Sequence, residues 1–326
     1  MSKLPETRLR RLRRTESLRT LTGQPFPTLG KMIWPVFAVE GENQRIEIGS
    51  MPGQFRMSAD ELCRAVEPLA EQGLGGLMLF GVVDEALKDA GGSYAFADNG
   101  LVQRTVKTLK AGFPDLTLFT DVCLCGYTDH GHCGALHAGT EIDNDKTLVL
   151  LQKVALSHAA AGADGVAPSA MMDGQVAAIR RALETNGYTD TVLMSYSTKF
   201  ASALYGPFRE AAESSPQCGD RKAYQLDPSD PRQALRESKI DEEEGADILM
   251  VKPATFYLDV ISKVRENTEL PLAAYNVSGE YAMIHALANS GGGDLHALAR
   301  ENLAAIQRAG ADMILTYWAN QYEQIF

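Results

Sequence analysis

Short apolar runs recur along this chain, each followed by a longer stretch in which apolar positions return every three or four residues. The first pattern is that of a strand covered on both faces and the second that of an amphipathic helix, so their alternation predicts a parallel sheet with crossover helices. The runs predict strands at 33–39, 76–80, 116–120, 164–168, 191–195, 248–252, 272–276 and 313–316. Between them the periodic stretches predict helices from Ser58 to about Gly73, over 100–111, 145–161, 174–186, 230–244, 257–266 and 294–309, with Ser58 as an N-cap. Three joints repeat almost literally: Ala161-Gly162-Ala163-Asp164, Glu244-Gly245-Ala246-Asp247 and Ala309-Gly310-Ala311-Asp312. Each places a glycine just past a helix, where a left-handed residue is needed, and then starts a strand.

Eight strand–helix alternations predict an α/β fold, a (β/α)₈ TIM barrel over residues 32–326, with a doubly wound sheet as the alternative. No Gly-x-Gly-x-x-Gly follows the first strand, which counts against a dinucleotide fold. Residues 1–31 hold Pro5, Pro25 and Pro27 and no sustained apolar face, and read as an extended arm with at most a short helix.

Composition narrows the function classes. The chain has 326 residues, 45% apolar and 22% charged, as in ordinary globular proteins. It shows neither an apolar run long enough to cross a bilayer nor the apolar core of a signal peptide, so a soluble, cytoplasmic protein is expected, with no membrane partner. The net charge of −11 hides an asymmetry, because residues 1–31 carry eight Lys and Arg against two acids. The basic run Arg8, Arg10, Arg11, Arg13 and Arg14 therefore suits the acidic body of a neighbouring subunit better than nucleic acid, whose phosphates that body would repel.

Chemistry gathers where the strands end. The apolar run 248–251 leads into Lys252, and Pro253 cannot continue a ladder. A lysine at the end of a buried strand must reach water, find a counter-charge or lose its proton, and the last option makes a nucleophile. The other strand ends contribute Asp121, Cys123 and Cys125, then Ser169, then Tyr196 and Lys199, then Ser278, then Tyr317. In a barrel all of these share one mouth. Lys199 and Lys252, on neighbouring strands, lower each other's pKa and leave a free amine that condenses with a ketone. The plainer alternative is a solvated Lys199 and a Lys252 that snorkels to water.

Five cysteines are present, and Cys123, Cys125 and Cys133 fall in one short loop with His130 and His132. Three thiolates suit Zn²⁺ with an open fourth position, a catalytic arrangement. A redox set is the alternative, though no Cys-x-x-Cys is present. The two loop histidines read as orienting groups, His158 and His285 as satisfied core residues, and Cys63 as a small buried hydrophobe. The long stretch after strand five holds Tyr205, Phe208, Arg209, Cys218, Arg221 and Gln225 and reads as a lid, whose arginines would close on a carboxylate. A single-lysine aldolase or decarboxylase would need no cysteine site, and a non-catalytic barrel scaffold would leave the lysines and thiols unexplained.

The segments Asp121-Val-Cys-Leu-Cys-Gly-Tyr-Thr-Asp-His-Gly-His-Cys133, Met194-Ser-Tyr-Ser-Thr-Lys-Phe-Ala-Ser-Ala-Leu-Tyr-Gly-Pro-Phe-Arg209, Gly219-Asp-Arg-Lys-Ala-Tyr-Gln225, Met250-Val-Lys-Pro253 and Tyr275-Asn-Val-Ser-Gly-Glu-Tyr281 together resemble the porphobilinogen synthase (5-aminolevulinate dehydratase) family across most of the chain. The resemblance implies a lyase that condenses two 5-aminolevulinate molecules to porphobilinogen in tetrapyrrole (heme) biosynthesis. It implies Schiff bases on Lys252 and Lys199, carboxylate holders at Ser278 and Tyr317, and Asp121 and Ser169 near the amino group of the first-bound substrate. Arg209, Arg221 and Gln225 resemble the lid groups that hold the second carboxylate, alongside Tyr205 and Phe208. The cysteine loop matches the zinc form. Arg236-Glu237-Ser238 resembles members that bind an allosteric Mg²⁺ through the shell of Glu237, and the arm implies a homo-octamer. Ala170 and Gln175 depart from the commoner Asp and Arg, at positions with no catalytic role assigned.

Overall fold

A computed structural model of the chain describes residues 8–137, 141–217 and 219–326. Cys218 of the expected lid and the first seven residues of the expected arm lie outside the described residues. Eight parallel strands form the core: β1 (Met32–Ala38), β2 (Gly76–Gly81), β3 (Thr117–Val122), β4 (Gly165–Pro168), β5 (Val192–Lys199), β6 (Ile248–Lys252), β7 (Leu272–Asn276) and β8 (Met313–Thr316). Each pairs with the next in sequence, and the ring closes where Met32 and Ile33 pair with Ile314 and Leu315. Closure establishes the (β/α)₈ barrel and removes the doubly wound alternative.

The repeated Gly-Ala-Asp joints have one physical job. Gly162, Gly245 and Gly310 all take positive φ, at 102°, 100° and 120°, so the helix stops in one residue. The aspartate that follows then closes the bottom of the preceding strand. Asp164, Asp247 and Asp312 accept from the backbone N–H of Leu118, Leu193 and Leu272 at 2.8, 2.7 and 2.8 Å. Each carboxylate also pairs with a cation from a barrel helix or its end: Lys110, Arg180 and Arg265 respectively. Strand starts that would otherwise carry an orphaned donor are thereby satisfied.

Three expectations change. Strand β3 runs on to Val122 and β5 to Lys199, so Asp121, Tyr196 and Lys199 project from the strands themselves. A helix not foreseen, Ser278–Asn289, begins at Ser278 directly after β7. Its apolar positions are spread round the helix, so the periodic signal is weak. Ser58 stands at an N-cap without capping, because its hydroxyl donates to Asp60 at 2.6 Å instead. Cys63 is half-buried against the core. Of the arm, Leu9–Arg13 is a 3₁₀ turn and Glu16–Thr22 a short helix, and Leu9, Leu12 and Leu21 point outward. No described helix is long and apolar enough to cross a membrane.

Candidate active site

Lys252 and Lys199 are the last residues of β6 and β5 and pair directly across the two strands. They keep only 5% and 6% of their surface exposed, so neither is a solvated loop lysine. Their surroundings differ. The Lys252 amine lies 4.2 Å from the ring centre of Tyr275, 5.0 Å from Tyr196 and Phe208, and 5.4 Å from Tyr205. Burial, then the charge of Lys199, lowers its pKa to about 7, so much of it is free amine near neutrality. The Lys199 amine donates to the Ser169 carbonyl at the end of β4 and shares the Tyr196 ring at 5.6 Å.

Asp121 faces the same space from β3. Its Oδ1 is enclosed with no hydrogen-bond partner among the described residues. Burial raises its carboxyl to about 6, against the pull of Ser169 and both lysines. A carboxyl and an amine poised this close to neutrality can exchange protons with a bound molecule at little cost.

The thiols of Cys123, Cys125 and Cys133 lie within 4.8 Å of one another, all buried, with the first two sulfurs 3.4 Å apart. They are free rather than disulfide-bonded. Hydrogen bonds from Cys123 and then Cys125 hold the Cys133 thiol well below its ordinary pKa, helped by Arg221 and Lys199. The donor set fits a soft dication with three sulfur ligands. The loop histidines stay outside this trio: the His132 N–H donates to His130 Nδ1 at 3.1 Å, and His132 Nδ1 meets the Tyr224 hydroxyl at 3.2 Å. They shape the loop, as expected. His158 is buried with Nδ1 3.0 Å from the Thr120 hydroxyl, whereas half-buried His285 stacks on Trp318 at 5.1 Å.

The stretch after β5 folds over the mouth as a 3₁₀ turn, Ala203–Tyr205, and a short helix, Gly206–Ala211. It returns to the barrel where the Leu226 N–H donates to the Lys199 carbonyl at 3.0 Å. Phe208 packs on Phe37 and Phe80, and its N–H donates to Ser278 Oγ at 2.9 Å. Tyr205 donates to the Phe200 carbonyl at 2.8 Å. Arg221 bonds the carbonyls of Gly131, at 2.9 Å, and Ser214. Half-buried Arg209 and buried Gln225 each keep an enclosed nitrogen, Nε and Nε2, without a partner among the described residues. Tyr317, after β8, has its hydroxyl 3.2 Å from that of Tyr275. A cavity of about 20 Å³ lies against Phe208, lined also by Asp121, Cys123 and Cys125.

Two groups escaped sequence reasoning. Arg56 latches the lid, donating to Ala211 O at 2.8 Å and to Glu210 O, and pairing with Glu213 at 3.2 Å, while Lys88 donates to Glu213 O at 3.0 Å. Tyr275 supplies the ring nearest Lys252. Neither position carries a local signal, since Arg56 reads as an ordinary polar residue and Tyr275 as one more apolar position in a strand. Glu237 is half-buried beside a cavity of about 750 Å³ that Asp173, Asp241 and the lid's Gln225 also line. Among the described residues the cysteine trio is the cluster of metal-ligating side chains, and Glu237 belongs to no such cluster.

The sequence model of the family described as delta-aminolevulinic acid dehydratase matches residues 6–325. A protein of that name from Halalkalibacterium halodurans is 50% identical over 312 residues, covering 96% of this chain and 94% of its own. One from Escherichia coli is 48% identical, covering 96% and 95%. Among solved structures, delta-aminolevulinic acid dehydratase (porphobilinogen synthase) from Toxoplasma gondii, in complex with the reaction product porphobilinogen, is similar with a TM-score of 0.95. It is 42% identical, over 98% of this chain and 91% of that one.

Proposed function

The chain belongs to the delta-aminolevulinic acid dehydratase family, and on that premise we propose that it condenses two molecules of 5-aminolevulinate to porphobilinogen with loss of two waters. The observation that carries the reading is the register pair Lys252 and Lys199, with the Lys252 pKa brought near neutrality by burial and by the Lys199 charge.

The free amine of Lys252 attacks the ketone of one substrate. Its nitrogen forms the C=N bond, the ketone oxygen leaves as water, and Asp121 can supply or remove the protons that this exchange needs. Ser278 and Tyr317 would hold that substrate's carboxylate. Lys199 activates the second ketone in the same way, and Arg209, Arg221 and Gln225 hold the second carboxylate, consistent with the unpartnered nitrogens of Arg209 and Gln225. Phe208 and Tyr205 exclude water once the lid is shut. Cys123, Cys125 and Cys133 would hold a Zn²⁺, which when bound polarises substrate groups or lowers the pKa of a bound water.

The basic arm over residues 1–31 would dock on the acidic body of another subunit and support a homo-octamer, leaving 32–326 as the catalytic unit. Its outward leucines, Leu9, Leu12 and Leu21, suit that role. Glu237 would take an allosteric Mg²⁺ through the ion's water shell. The setting is cytoplasmic. Incubation with 5-aminolevulinate followed by a colorimetric assay for pyrrole tests the activity, and absence of pyrrole from metal-replete protein would refute it. Removing residues 1–25 should yield smaller particles by light scattering with the barrel still folded.

A further inference from the structure

Glu280 is a fully buried carboxylate that forms no ion pair among the described residues. Four N–H groups satisfy it instead. Oε1 accepts from the backbone of Ala254 at 3.1 Å and Thr255 at 2.6 Å, and Oε2 from the Val277 backbone at 2.8 Å and the Asn276 side chain at 3.0 Å. Capping the helix Ser278–Asn289 accounts for the Val277 bond alone. The bonds to Ala254 and Thr255 reach across to the turn that follows Lys252.

The network continues. Asn276, the last residue of β7, donates to Asn302 at 2.9 Å and accepts from the Thr316 hydroxyl at 3.0 Å, while Asn302 donates to Thr255 at 3.0 Å. Lys252, Asn276 and Thr316 end β6, β7 and β8, and Ser278 and Tyr317 follow the latter two within two residues. One carboxylate therefore ties together the strand ends that carry an amine and two hydroxyls facing the same mouth. Burial raises this carboxyl to about 7, and the N–H groups on it pull back toward the ionised form.

We propose that Glu280 is a positioning residue that fixes the spacing between the Lys252 amine and the carboxylate holders Ser278 and Tyr317. This deepens the function proposed above and rests on it. A ketone and a carboxylate on one small molecule lie a fixed distance apart, so productive attack requires the amine and the holders to be held at the matching separation. Both carboxylate oxygens must accept, and a glutamine at this site would turn an NH₂ toward two of the N–H donors.

The test compares Glu280→Gln, Glu280→Asp and Asp294→Ala in metal-replete full-length protein. Asp294 caps the next helix through the Ala297 N–H at 2.8 Å and touches none of these groups, so its loss controls for stability alone. Borohydride trapping of 5-aminolevulinate on Lys252 is followed with steady-state turnover. Glu280→Gln should slow trapping at low substrate and raise KM by roughly ten- to a hundredfold, with zinc content and circular dichroism unchanged. Glu280→Asp, which keeps both acceptors, should recover part of the loss. Asp294→Ala should lower Tm and leave trapping and KM alone. A Glu280→Gln protein that loses only Tm, with unaltered trapping and KM per folded molecule, overturns the proposal; if it does not fold, Glu280→Asp is judged by the same two outcomes. Failure of the unsubstituted protein to trap substrate on Lys252 would refute the Schiff-base role of Lys252 instead, and absence of pyrrole the function itself.

Discussion

Lys252 and Lys199 end neighbouring strands in register, yet their amines meet opposite surroundings. The Lys252 amine is ringed by Tyr275, Tyr196, Phe208 and Tyr205. The Lys199 amine bonds the Ser169 carbonyl and acts electrostatically on the cysteine trio through Cys133. Burial and the neighbouring Lys199 charge, outweighing the attraction of the ring faces, bring the Lys252 pKa down to about 7. On the other side the Ser169 carbonyl offers the Lys199 amine an acceptor. The pocket thus has a dry half suited to nucleophilic amine chemistry and a thiol half suited to a metal, built from the same barrel mouth.

The contrast is most sharply tested by removing the proposed nucleophile. Lys252→Ala should abolish turnover by several orders of magnitude and leave no borohydride-trapped adduct by peptide mass analysis; an adduct that persists elsewhere with turnover intact would erase the distinction. Next comes the thiol half. Cys133→Ala should cut bound zinc by elemental analysis and depress turnover by more than the roughly 10–100-fold typical of losing an outer partner. Trapping on Lys252 should survive it, because the dry half needs no metal for the first C=N bond. Chelation should have the same effect, and full activity after chelation would remove the metal from the mechanism.

A subtler test concerns the proton. The amine attacks only when neutral, so trapping should rise with pH, pass half-maximum near the Lys252 pKa of about 7 and fall away below it. Lys199→Met removes the neighbouring positive charge that helps depress that pKa and should move the midpoint upward. An unmoved midpoint would mean that burial alone sets the reactivity of Lys252. The smallest effect is expected at the lid. Arg56→Ala should raise KM by about tenfold, the lower end of what a charge-assisted hydrogen bond is worth, and speed proteolysis within residues 206–226.

The sequence by itself determined the barrel and the candidates for its reactive groups, because both rest on local signals. Strand runs, periodic helices and the Gly-Ala-Asp joints report the neighbours of each residue along the chain, and Lys252 before Pro253 or three cysteines in one loop are visible without any fold. The contacts that tune those groups were decided only by tertiary structure. Tyr275 becomes the nearest ring to Lys252 because two strands pair. Arg56 reaches a lid more than half the barrel away in sequence, and Glu280, an unremarked N-terminal helical acid, meets Ala254 and Thr255 from the preceding turn. Such pairings join positions whose separation along the chain carries no periodicity. Their energy depends on distance and solvent exclusion, quantities that exist only once the chain has closed on itself.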